Sequence, residues 1–415
     1  MRSFFKFIRW LYPGLKIKRW IFFIFLSLIV ILVSSPHIKD NNFIIKIASL
    51  VSFIIGIFVL FISILFLLKS FFEVIYPYER KDLIEIIYEK RLLSKGPRIV
   101  AIGGGTGLST ILRGLKEYTL NISAIVAVAD EGGSSGRLRQ EFGILPPGDI
   151  RNCLVALAEA DKLMQDLFQY RFKEGDGIKG HSFGNLFITA MTQVTGSFKD
   201  AIEESSKVLA IRGRVIPSSL EKIRLKAEYT DGTFIEGEDK ISDDTKTIKR
   251  IYLIPQDARP NPEAIEAIRN ADLIILGPGS LFTSIIPNLL IKEITEEIAR
   301  KNVLKIYICN VMTQHGETDG FTASDHLSML IAHSKKEVVN CCLVNSGRLE
   351  YNLLLKYSYD KSFPVIFDRD KLKKFGILVF EADVVSKTNY LHHDPIKTAR
   401  EIINIYKNYK SYVAD

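Results

Sequence analysis

The residues best suited to binding chemistry begin with a glycine-rich run between an apolar segment and a stretch with helical spacing. Its members are Gly103, Gly104, Gly105, Thr106 and Gly107. Glycines permit a tight turn and let phosphate oxygens approach backbone amides, and the start of a helix adds a partial positive charge. No lysine follows, as a Walker A loop requires, and Leu108 replaces the third glycine of a GxGxxG turn. We therefore predict a phosphate-binding turn, with an unliganded strand-to-helix turn as the alternative.

A second polar loop follows the next apolar segment. Because ligands of open parallel sheets bind beyond the carboxyl ends of the strands, this loop is expected to face the glycine run. An aspartate there can bind a ribose hydroxyl or a cation such as Mg²⁺, while serines, amides and an arginine suit phosphate or sugar oxygens. The predicted ligand-binding residues are Asp130, Gly132, Gly133, Ser134, Ser135, Gly136 and Arg137, with Asp130 as the candidate metal ligand. The alternative is a solvated loop in which Asp130 is a cap.

Later motifs add candidates at the ends of other predicted elements. Asp149 suits either a helix N-cap or a ligand contact. Arg151 lies in the first turn of a helix, where a cation is unfavourable unless it faces an anion. A lone histidine such as His181 is more often structural, and the turn at residues 277–280 follows another strand. The candidate ligand-binding residues from these motifs are Asp149, Arg151, Asn152, His181, Asn185, Gly277, Pro278, Gly279, Ser280, Asn310, Thr313 and Gln314.

Several catalytic and metal classes lack their sequence signatures. The four cysteines form no CxxC pair and no histidine pair has metal spacing, so we expect reduced core thiols and no structural zinc site. Two G-x-S-x-G matches do not directly follow a strand, which disfavours a serine hydrolase. The motifs supply glycines, hydroxyls and an arginine without an evident nucleophile–base pair. They favour a binding protein over an enzyme.

Short apolar runs alternate with helical stretches from residue 98 onward. They include IVAIG, ISAIV, IKRIYLIP, ADLIIL, VLKIYI and VVNCCLV. This alternation predicts an α/β fold, Rossmann-like and doubly wound, with a mostly parallel sheet. A hairpin around Asp231-Gly232 predicts a small β insertion near residues 214–253.

Two long apolar runs precede this domain. They predict transmembrane helices at about residues 18–35 and 47–68, within an anchor spanning 1–70. A helical connector is expected at 71–96 and the ligand-binding domain at 97–415. Basic residues flank both outer ends of the hairpin, so both termini and the main domain are expected in the cytoplasm. A cleaved signal peptide and a buried core hairpin are the alternatives.

The net charge of the chain is +8, and much of it lies before the first acid, Asp40. This distribution indicates an anionic membrane face. The sequence lacks the interleaved aromatic and basic residues that are typical of proteins that bind single-stranded nucleic acid. We therefore expect the membrane, and no nucleic acid, among the partners.

The ordered motifs together resemble a known family. They are IGGGTGLS, VADEGGSSGRLR, PPGDIRN, GHSFGNL, LGPGSLFTSIIPNLL and ICNVMTQHGET. They resemble the bacterial gluconeogenesis factor family, the YvcK-like proteins, which is related to 2-phospho-L-lactate transferase. The resemblance covers roughly residues 97–406, and the membrane hairpin lies outside it.

The resemblance implies a Rossmann-like core that binds UDP-sugars such as UDP-N-acetylglucosamine. It also implies a role in cell shape and cell-wall synthesis during growth on gluconeogenic carbon sources, with cell-wall synthesis proteins and self-association as partner expectations. It brings no established reaction. Asp130 matches the first acid of the family's Asp-Asp pair, whereas Glu131 departs from the second.

Three hypotheses follow. The first is a membrane-anchored UDP-sugar-binding regulator. The second is a transferase that moves a phospho-acid group, with Mg²⁺ held by Asp130 and Glu131. The third is an NAD(P) oxidoreductase, which the missing third glycine disfavours.

Overall fold

The computed structural model describes residues 17–39, 42–75, 83–243, 246–386 and 391–414. Its contacts divide the chain into two units, Met1–Lys90 and Arg91–Asp415. Several charges used to predict the membrane orientation lie outside the described residues. They are Arg2, Lys6, Arg9, Lys16, Asp40, Arg80 and Lys81.

The N-terminal unit contains two long apolar helices, Ile17–His37 and Phe43–Ile75. The rings of Trp20 and Phe66 stack with 4.5 Å between their centroids, so the helices pack side by side as a hairpin. Both are long and apolar enough to cross a bilayer, by length and composition. Each extends beyond its predicted span, and the second takes up the first five residues of the predicted connector. The remainder of the connector contains the helix Leu83–Ser94.

The second unit is built on a seven-stranded parallel sheet, which confirms the predicted fold class. Its strand order is β10-β9-β8-β7-β1-β2-β3. The bounds are β1 Ile99–Gly103, β2 Ile122–Val126, β3 Arg214–Pro217, β7 Leu273–Leu276, β8 Leu304–Ile308, β9 Cys341–Asn345 and β10 Leu378–Ala382. Every residue of β1, β2, β7 and β8 is buried. Runs buried on both faces explain why these strands are continuously apolar rather than alternating.

Helices connect the strands and cover the sheet. Those before β7 are Gly105–Leu115, Gly133–Phe142, Gly148–Leu157, Lys162–Gln169, Phe183–Thr195, Phe198–Val208, Glu238–Asp243 and Pro262–Asn270. Those after β7 are Ile286–Leu290, Lys292–Arg300, Ala323–Ala332, Tyr351–Tyr359, Arg369–Lys373 and Pro395–Ala414. A π-helical turn, Leu281–Ile285, and a 3-10 turn, Lys336–Val338, complete the set. All four cysteines are free and buried, as predicted.

A small antiparallel sheet interrupts the parallel one, in the order β5-β4-β6. Its strands are β4 Arg224–Tyr229, β5 Phe234–Glu236 and β6 Ile248–Ile254. The β4–β5 hairpin turns at Asp231-Gly232 as predicted, but two assignments were wrong. Residues 214–217 belong to the edge of the parallel sheet rather than to the insertion. The run IKRIYLIP, which was counted with the parallel runs although it lies mostly within the predicted insertion, belongs to the insertion alone. In strand β6, Ile248, Ile251 and Leu253 are buried while the other residues are half-buried or exposed, which suits a sheet with one solvated face.

Candidate functional site

The strand order reverses beside β1, where the chain proceeds to β2 and β3 on one side and to β7 and β8 on the other. Ligands of open α/β sheets bind at such a switch point, beyond the carboxyl ends of the strands. A polar cavity of ≈ 290 Å³ lies there, and we call it the switch-point cavity. Its lining residues are Gly104, Gly105, Thr106, Gly107, Ala127, Asp130, Asp149, Glu238, Gly279, Ser280, Thr283, Ser284 and Gln314. Three of the predicted loops therefore converge on one space.

The glycine run forms the first wall by joining β1 directly to the helix Gly105–Leu115. Gly105 has φ +61°, a backbone conformation that disfavours other residues. Gly107 allows a close approach of the second loop, because a Cβ there would lie 2.7 Å from the Pro278 carbonyl carbon and 2.8 Å from Gly279 Cα. The two loops thus fit together only without a side chain at 107.

The second wall is the turn that follows β7. The Asn310 amide clamps it, accepting from Gly279 N at 3.1 Å and donating to Gly279 O at 2.8 Å. Ser280 caps the next turn by accepting from Thr283 N at 3.0 Å, and it also hydrogen-bonds Glu317. Asn310 therefore acts on the cavity through the loop rather than by lining it.

Three carboxyl groups form the remaining wall: Asp130, Asp149 and Glu238. Asp130 accepts from Gly132 N at 2.9 Å. Burial raises the pKa of Asp149 to about 7, and the neighbouring Asp130 adds to this, although a hydrogen bond from the Gly105 backbone opposes it. Burial, followed by the charges of Asp130 and other acids, raises the pKa of Glu238 to about 7. Close-packed carboxyls of this kind are stabilised by bound protons or by a cation.

The stability of the folded chain is expected to depend on pH through Asp149. Its pKa rises from 3.8 to about 7 on folding, so the folded protein keeps a proton that the unfolded chain releases. Stability should therefore fall as the pH rises between these values and level off above pH 7. In urea titrations, Asp149→Asn should raise the free energy of unfolding at pH 8 by up to about 4 kcal/mol. At pH 4 it should have little effect.

The matched control for this prediction is Asp166→Asn, a change at an exposed aspartate. It should leave the pH dependence of unfolding as in the natural chain. An Asp149→Asn protein that keeps the full pH slope would show that Asp149 does not hold the proton.

Asp149 is not the N-cap that one prediction allowed. The cap of the helix Gly148–Leu157 is Pro147, and Asp149 lies in the first turn. Its carboxyl instead meets the glycine run, since a Cβ on Gly105 would lie 4.0 Å from its Oδ1. The sequence Pro-Pro-Gly-Asp shifts the helix start by two residues relative to the predicted one.

Arg151 lies behind the carboxyl groups in a buried polar network. It donates to Asn185 Oδ1 at 3.1 Å and to Asn152 Oδ1 at 2.8 Å, and it also contacts Ser182 Oγ. Burial lowers the pKa of this guanidinium to about 10, with Arg171 also lowering it and Asp149 opposing. Arg151 does not line the cavity, so its positive charge acts on the carboxyl group of Asp149 from outside the cavity wall.

His181 and Ser134 meet in the same network, with 2.9 Å between His181 Nδ1 and Ser134 Oγ. Asn185 Nδ2 donates to the same hydroxyl at 3.0 Å. The sequence showed no nucleophile–base pair, yet the structure places a serine beside a histidine. Both are buried and neither lines the switch-point cavity. The pair ties the first turn of the helix Gly133–Phe142 to the segment just before the helix Phe183–Thr195, so the predicted loop 130–137 is helical from Gly133 onward.

The other predicted residues divide into lining and supporting positions. Those that line the cavity are Gly104, Gly105, Thr106, Gly107, Asp130, Asp149, Gly279, Ser280 and Gln314. Those that lie outside its lining are Gly103, Gly132, Gly133, Ser134, Ser135, Gly136, Arg137, Arg151, Asn152, His181, Asn185, Gly277, Pro278, Asn310 and Thr313. Among the second set, Arg137 donates to Lys179 O at 3.0 Å, and Thr313 accepts from Phe363 N at 2.9 Å.

Sequence reasoning missed Glu238, Thr283 and Ser284. Glu238 starts a short helix inside the β insertion, and nothing in its local sequence marks it. Thr283 and Ser284 follow the second glycine turn within the π-helical turn, where a polar pair in an apolar stretch was a usable signal. Glu131, proposed as the second metal ligand, instead accepts from Arg224 Nε at 2.9 Å and does not line the cavity.

The donor groups of the cavity determine whether a metal ion fits there. No group of three or more His, Cys, Asp or Glu residues arranged for a metal occurs among the described residues. Asp130 and Asp149 nevertheless offer carboxylate oxygens from half-buried side chains beside the glycine amides. Mg²⁺ is commonly held by one or two carboxylates together with substrate phosphates and water. The residues therefore fit a cation that arrives with a phosphate ligand.

Fold and site together define an α/β protein with a glycine-walled, carboxyl-rich cavity at the switch point of its sheet. Residues 99–385 match the family described as 2-phospho-L-lactate transferase CofD. The chain belongs to this family, in the group of the gluconeogenesis factors.

Several relatives carry the name gluconeogenesis factor. One from a Nostoc species is 45% identical over 96% of this chain and 92% of its own. The Bacillus subtilis protein is 47% identical over 76% of this chain and 100% of its own. A crystal structure of a UPF0052 family member from Bacillus halodurans is 48% identical, with a TM-score of 0.72. It covers 74% of this chain and 99% of its own.

Proposed function

We propose that the chain is a regulator that binds a UDP-sugar, such as UDP-N-acetylglucosamine, in the switch-point cavity. The supporting observation is the convergence of the glycine run, the turn after β7 and the loop after β2 on that cavity. Backbone amides of the two glycine turns are suited to a diphosphate, because they donate without bulk. Hydroxyls of Thr106, Ser280 and Ser284 add further donors.

The residues that line the cavity are suited to binding a ligand rather than to catalysis. Its side chains are hydroxyls, amides and carboxyls, and the Ser134–His181 pair lies outside the cavity. A sensor needs affinity and a response to the ligand, whereas a covalent mechanism needs an accessible activated nucleophile. We test the proposal by calorimetry on the full chain in detergent, with UDP-N-acetylglucosamine as ligand. UMP, which lacks the second phosphate and the sugar, should bind at least about tenfold more weakly.

The affinity should depend on Mg²⁺ and on pH in a defined direction. At pH 8 the Asp149 and Glu238 carboxyls are charged, because burial and nearby acids place their pKa values at about 7. They then repel a diphosphate. Adding Mg²⁺, or lowering the pH to 6, should each strengthen binding by about tenfold.

Asp130→Asn is the matched change for the metal. It should strengthen binding in the absence of Mg²⁺ and reduce the response to added Mg²⁺. An affinity indifferent to both Mg²⁺ and pH would contradict a diphosphate beside these carboxyl groups. Absence of any heat up to millimolar ligand would contradict the UDP-sugar proposal itself.

A transferase related to 2-phospho-L-lactate transferase is the second candidate, and the oxygen donors of Asp130 and Asp149 favour it. These carboxylates would hold Mg²⁺, whose charge would orient and neutralise a phosphate group during transfer. Magnesium-dependent turnover of a nucleotide-activated phospho-acid, abolished in Asp130→Asn, would replace the regulator with this enzyme. The proposed cellular role is support of cell shape and cell-wall synthesis during gluconeogenic growth, through cell-wall synthesis proteins.

We further propose that the apolar hairpin anchors the chain in the cell membrane with both ends in the cytoplasm. The support is the length and composition of the two helices and the basic flanks of the sequence. Since the four natural cysteines are buried, single introduced cysteines can report the side of the membrane. In intact cells with the outer face accessible, His37→Cys should react with an impermeant thiol reagent. Glu174→Cys should react only after permeabilisation.

Two results would reject this arrangement. Labelling of Glu174→Cys in intact cells would reverse the orientation. Recovery of the chain in the soluble fraction after alkaline extraction would remove the anchor.

A further inference from the structure

Asn288 places a fully buried amide behind the two glycine-rich walls of the switch-point cavity. It is the one polar residue of the run IPNLL, residues 286–290, and its side chain is 0% exposed. It does not line the cavity. Its Nδ2 donates to the carbonyl of Gly103 at 3.2 Å and to the carbonyl of Ser284 at 2.7 Å. One side chain therefore joins the end of β1 to the turn that follows β7.

The Gly103 carbonyl does not need this hydrogen bond to be satisfied. It already accepts from Ala127 N at 2.9 Å, just beyond β2. The other polar atom of the Asn288 amide, Oδ1, has no partner within the described residues. Burying an amide with an unpaired acceptor among apolar side chains costs free energy, so an apolar residue of the same shape would suit the core at least as well. What the amide adds is the position of the two segments that it joins.

The position of the Ser284 hydroxyl depends on this connection. Ser284 lies in the π-helical turn Leu281–Ile285, an irregular form of helix that is frequent at functional sites. A Cβ on Gly104 would lie 3.2 Å from the Ser284 hydroxyl oxygen, and both residues line the cavity. The Asn288 amide therefore sets the separation between this hydroxyl and the backbone amides of the glycine run.

A diphosphate makes stricter demands on that separation than a monophosphate does. A single phosphate can take its hydrogen bonds from one wall of the cavity. Two linked phosphates have a fixed length, and they reach donors on both walls only when the walls keep their spacing. A site whose donors are already held in place binds more tightly, because less ordering is needed when the ligand arrives.

We propose that Asn288 is a positioning residue that fixes the spacing of the two walls and so gives the cavity a preference for a diphosphate over a monophosphate. It acts through the backbone carbonyls of Gly103 and Ser284 and does not touch the ligand. The proposal rests on the proposed UDP-sugar function and adds the phosphate class that the site selects.

UDP and UMP form a matched pair of probes, because they differ only in the second phosphate. With the full chain in detergent, at one pH and one Mg²⁺ concentration, calorimetry should show UDP binding about tenfold more tightly than UMP. Asn288→Leu keeps the number and branching of the heavy side-chain atoms but removes the donor. It should weaken UDP binding about tenfold and UMP binding less than about twofold, so that the ratio falls to near one. The midpoint of urea unfolding should stay as in the natural chain, because the unpaired buried oxygen is removed with the donor.

Asn261→Leu is the matched control at another buried asparagine, outside the cavity lining. Asn261 is 1% exposed, and its Oδ1 accepts from Glu263 N at 3.1 Å as the cap of the helix Pro262–Asn270. Its loss should lower the unfolding midpoint and leave the ratio of UDP to UMP affinity unchanged. Asn288→Ala removes the same amide as Asn288→Leu without adding an apolar branch, and it should give the same low ratio.

Binding of UDP-N-acetylglucosamine to the natural chain, measured alongside, separates this inference from the function on which it rests. If the nucleotide sugar binds and both Asn288 variants keep the natural preference for UDP, the positioning role is overturned and the UDP-sugar function stands. Equal affinity of the natural chain for UDP and UMP also overturns the positioning role. Unfolding of both Asn288 variants where Asn261→Leu stays folded would assign Asn288 to the fold instead. No binding of the nucleotide sugar removes both proposals.

Discussion

Replacing Gly107 by alanine is expected to lower the affinity for UDP-N-acetylglucosamine by about 100-fold, or about 2.7 kcal/mol. Alanine is otherwise the better helix former, so the effect is steric. The new methyl group would lie 2.7 Å and 2.8 Å from backbone atoms of Pro278 and Gly279. Backbone cannot swing aside as a flexible side chain can, so the two glycine turns must separate. Calorimetry on the full chain measures the loss.

Two further variants make this result specific. Gly232→Ala places a methyl group at φ +81° with no atom within 4 Å. It should cost about 1 kcal/mol of stability and leave the affinity unchanged. Asn310→Ala releases Gly279 without a clash and should weaken binding by about tenfold. Natural affinity in both Gly107→Ala and Asn310→Ala would show that the two turns do not hold the ligand jointly.

Arg151→Met is expected to destabilise the folded chain by about 3 kcal/mol, measured by urea unfolding at pH 7. The change removes hydrogen bonds to the half-buried Asn152 and the buried Asn185 and leaves their side-chain oxygens without this donor. It also removes a positive charge that stabilises the ionised form of Asp149. The pKa of Asp149 should consequently rise further.

The control is Arg259→Met. This change removes a surface ion pair in which Arg259 Nε lies 3.4 Å from Glu221 Oε1. Exposed pairs contribute less than about 1 kcal/mol. A similar small loss for Arg151→Met would mean that the buried network relaxes around the missing guanidinium.

The sequence predicted the parallel sheet and its loops because these depend on local pattern. Strands buried on both faces are continuously apolar, and glycine turns follow them directly, so β1, β2 and β7 were recognisable from short runs. Strand β6 lies within the predicted insertion but was also counted among the parallel runs, for the same reason. Its run IKRIYLIP is also apolar, and only its pairing with β4 places it in the insertion.

The candidate site was predicted less completely, because its carboxyl wall comes from distant parts of the chain. Asp130 follows a strand and could be found by position. Glu238 comes from the insertion, more than a hundred residues later, and only the folded chain brings it to Asp130. Arg151, Asn185 and His181 were predicted as ligand contacts, and the structure places all three outside the lining of the switch-point cavity. In the structure they support one another.

The helix Pro395–Ala414 packs against the helix Gly105–Leu115, since a Cβ on Gly114 would collide with the backbone of Pro395. During translation the ribosome adds 279 residues between Leu115 and Pro395. At about 5–20 residues per second this takes about 15–60 s. The helix Gly105–Leu115 can therefore pack against the helix Pro395–Ala414 only long after its own synthesis. The glycine run thus gains this packing of its helix only after the late segment has been synthesised.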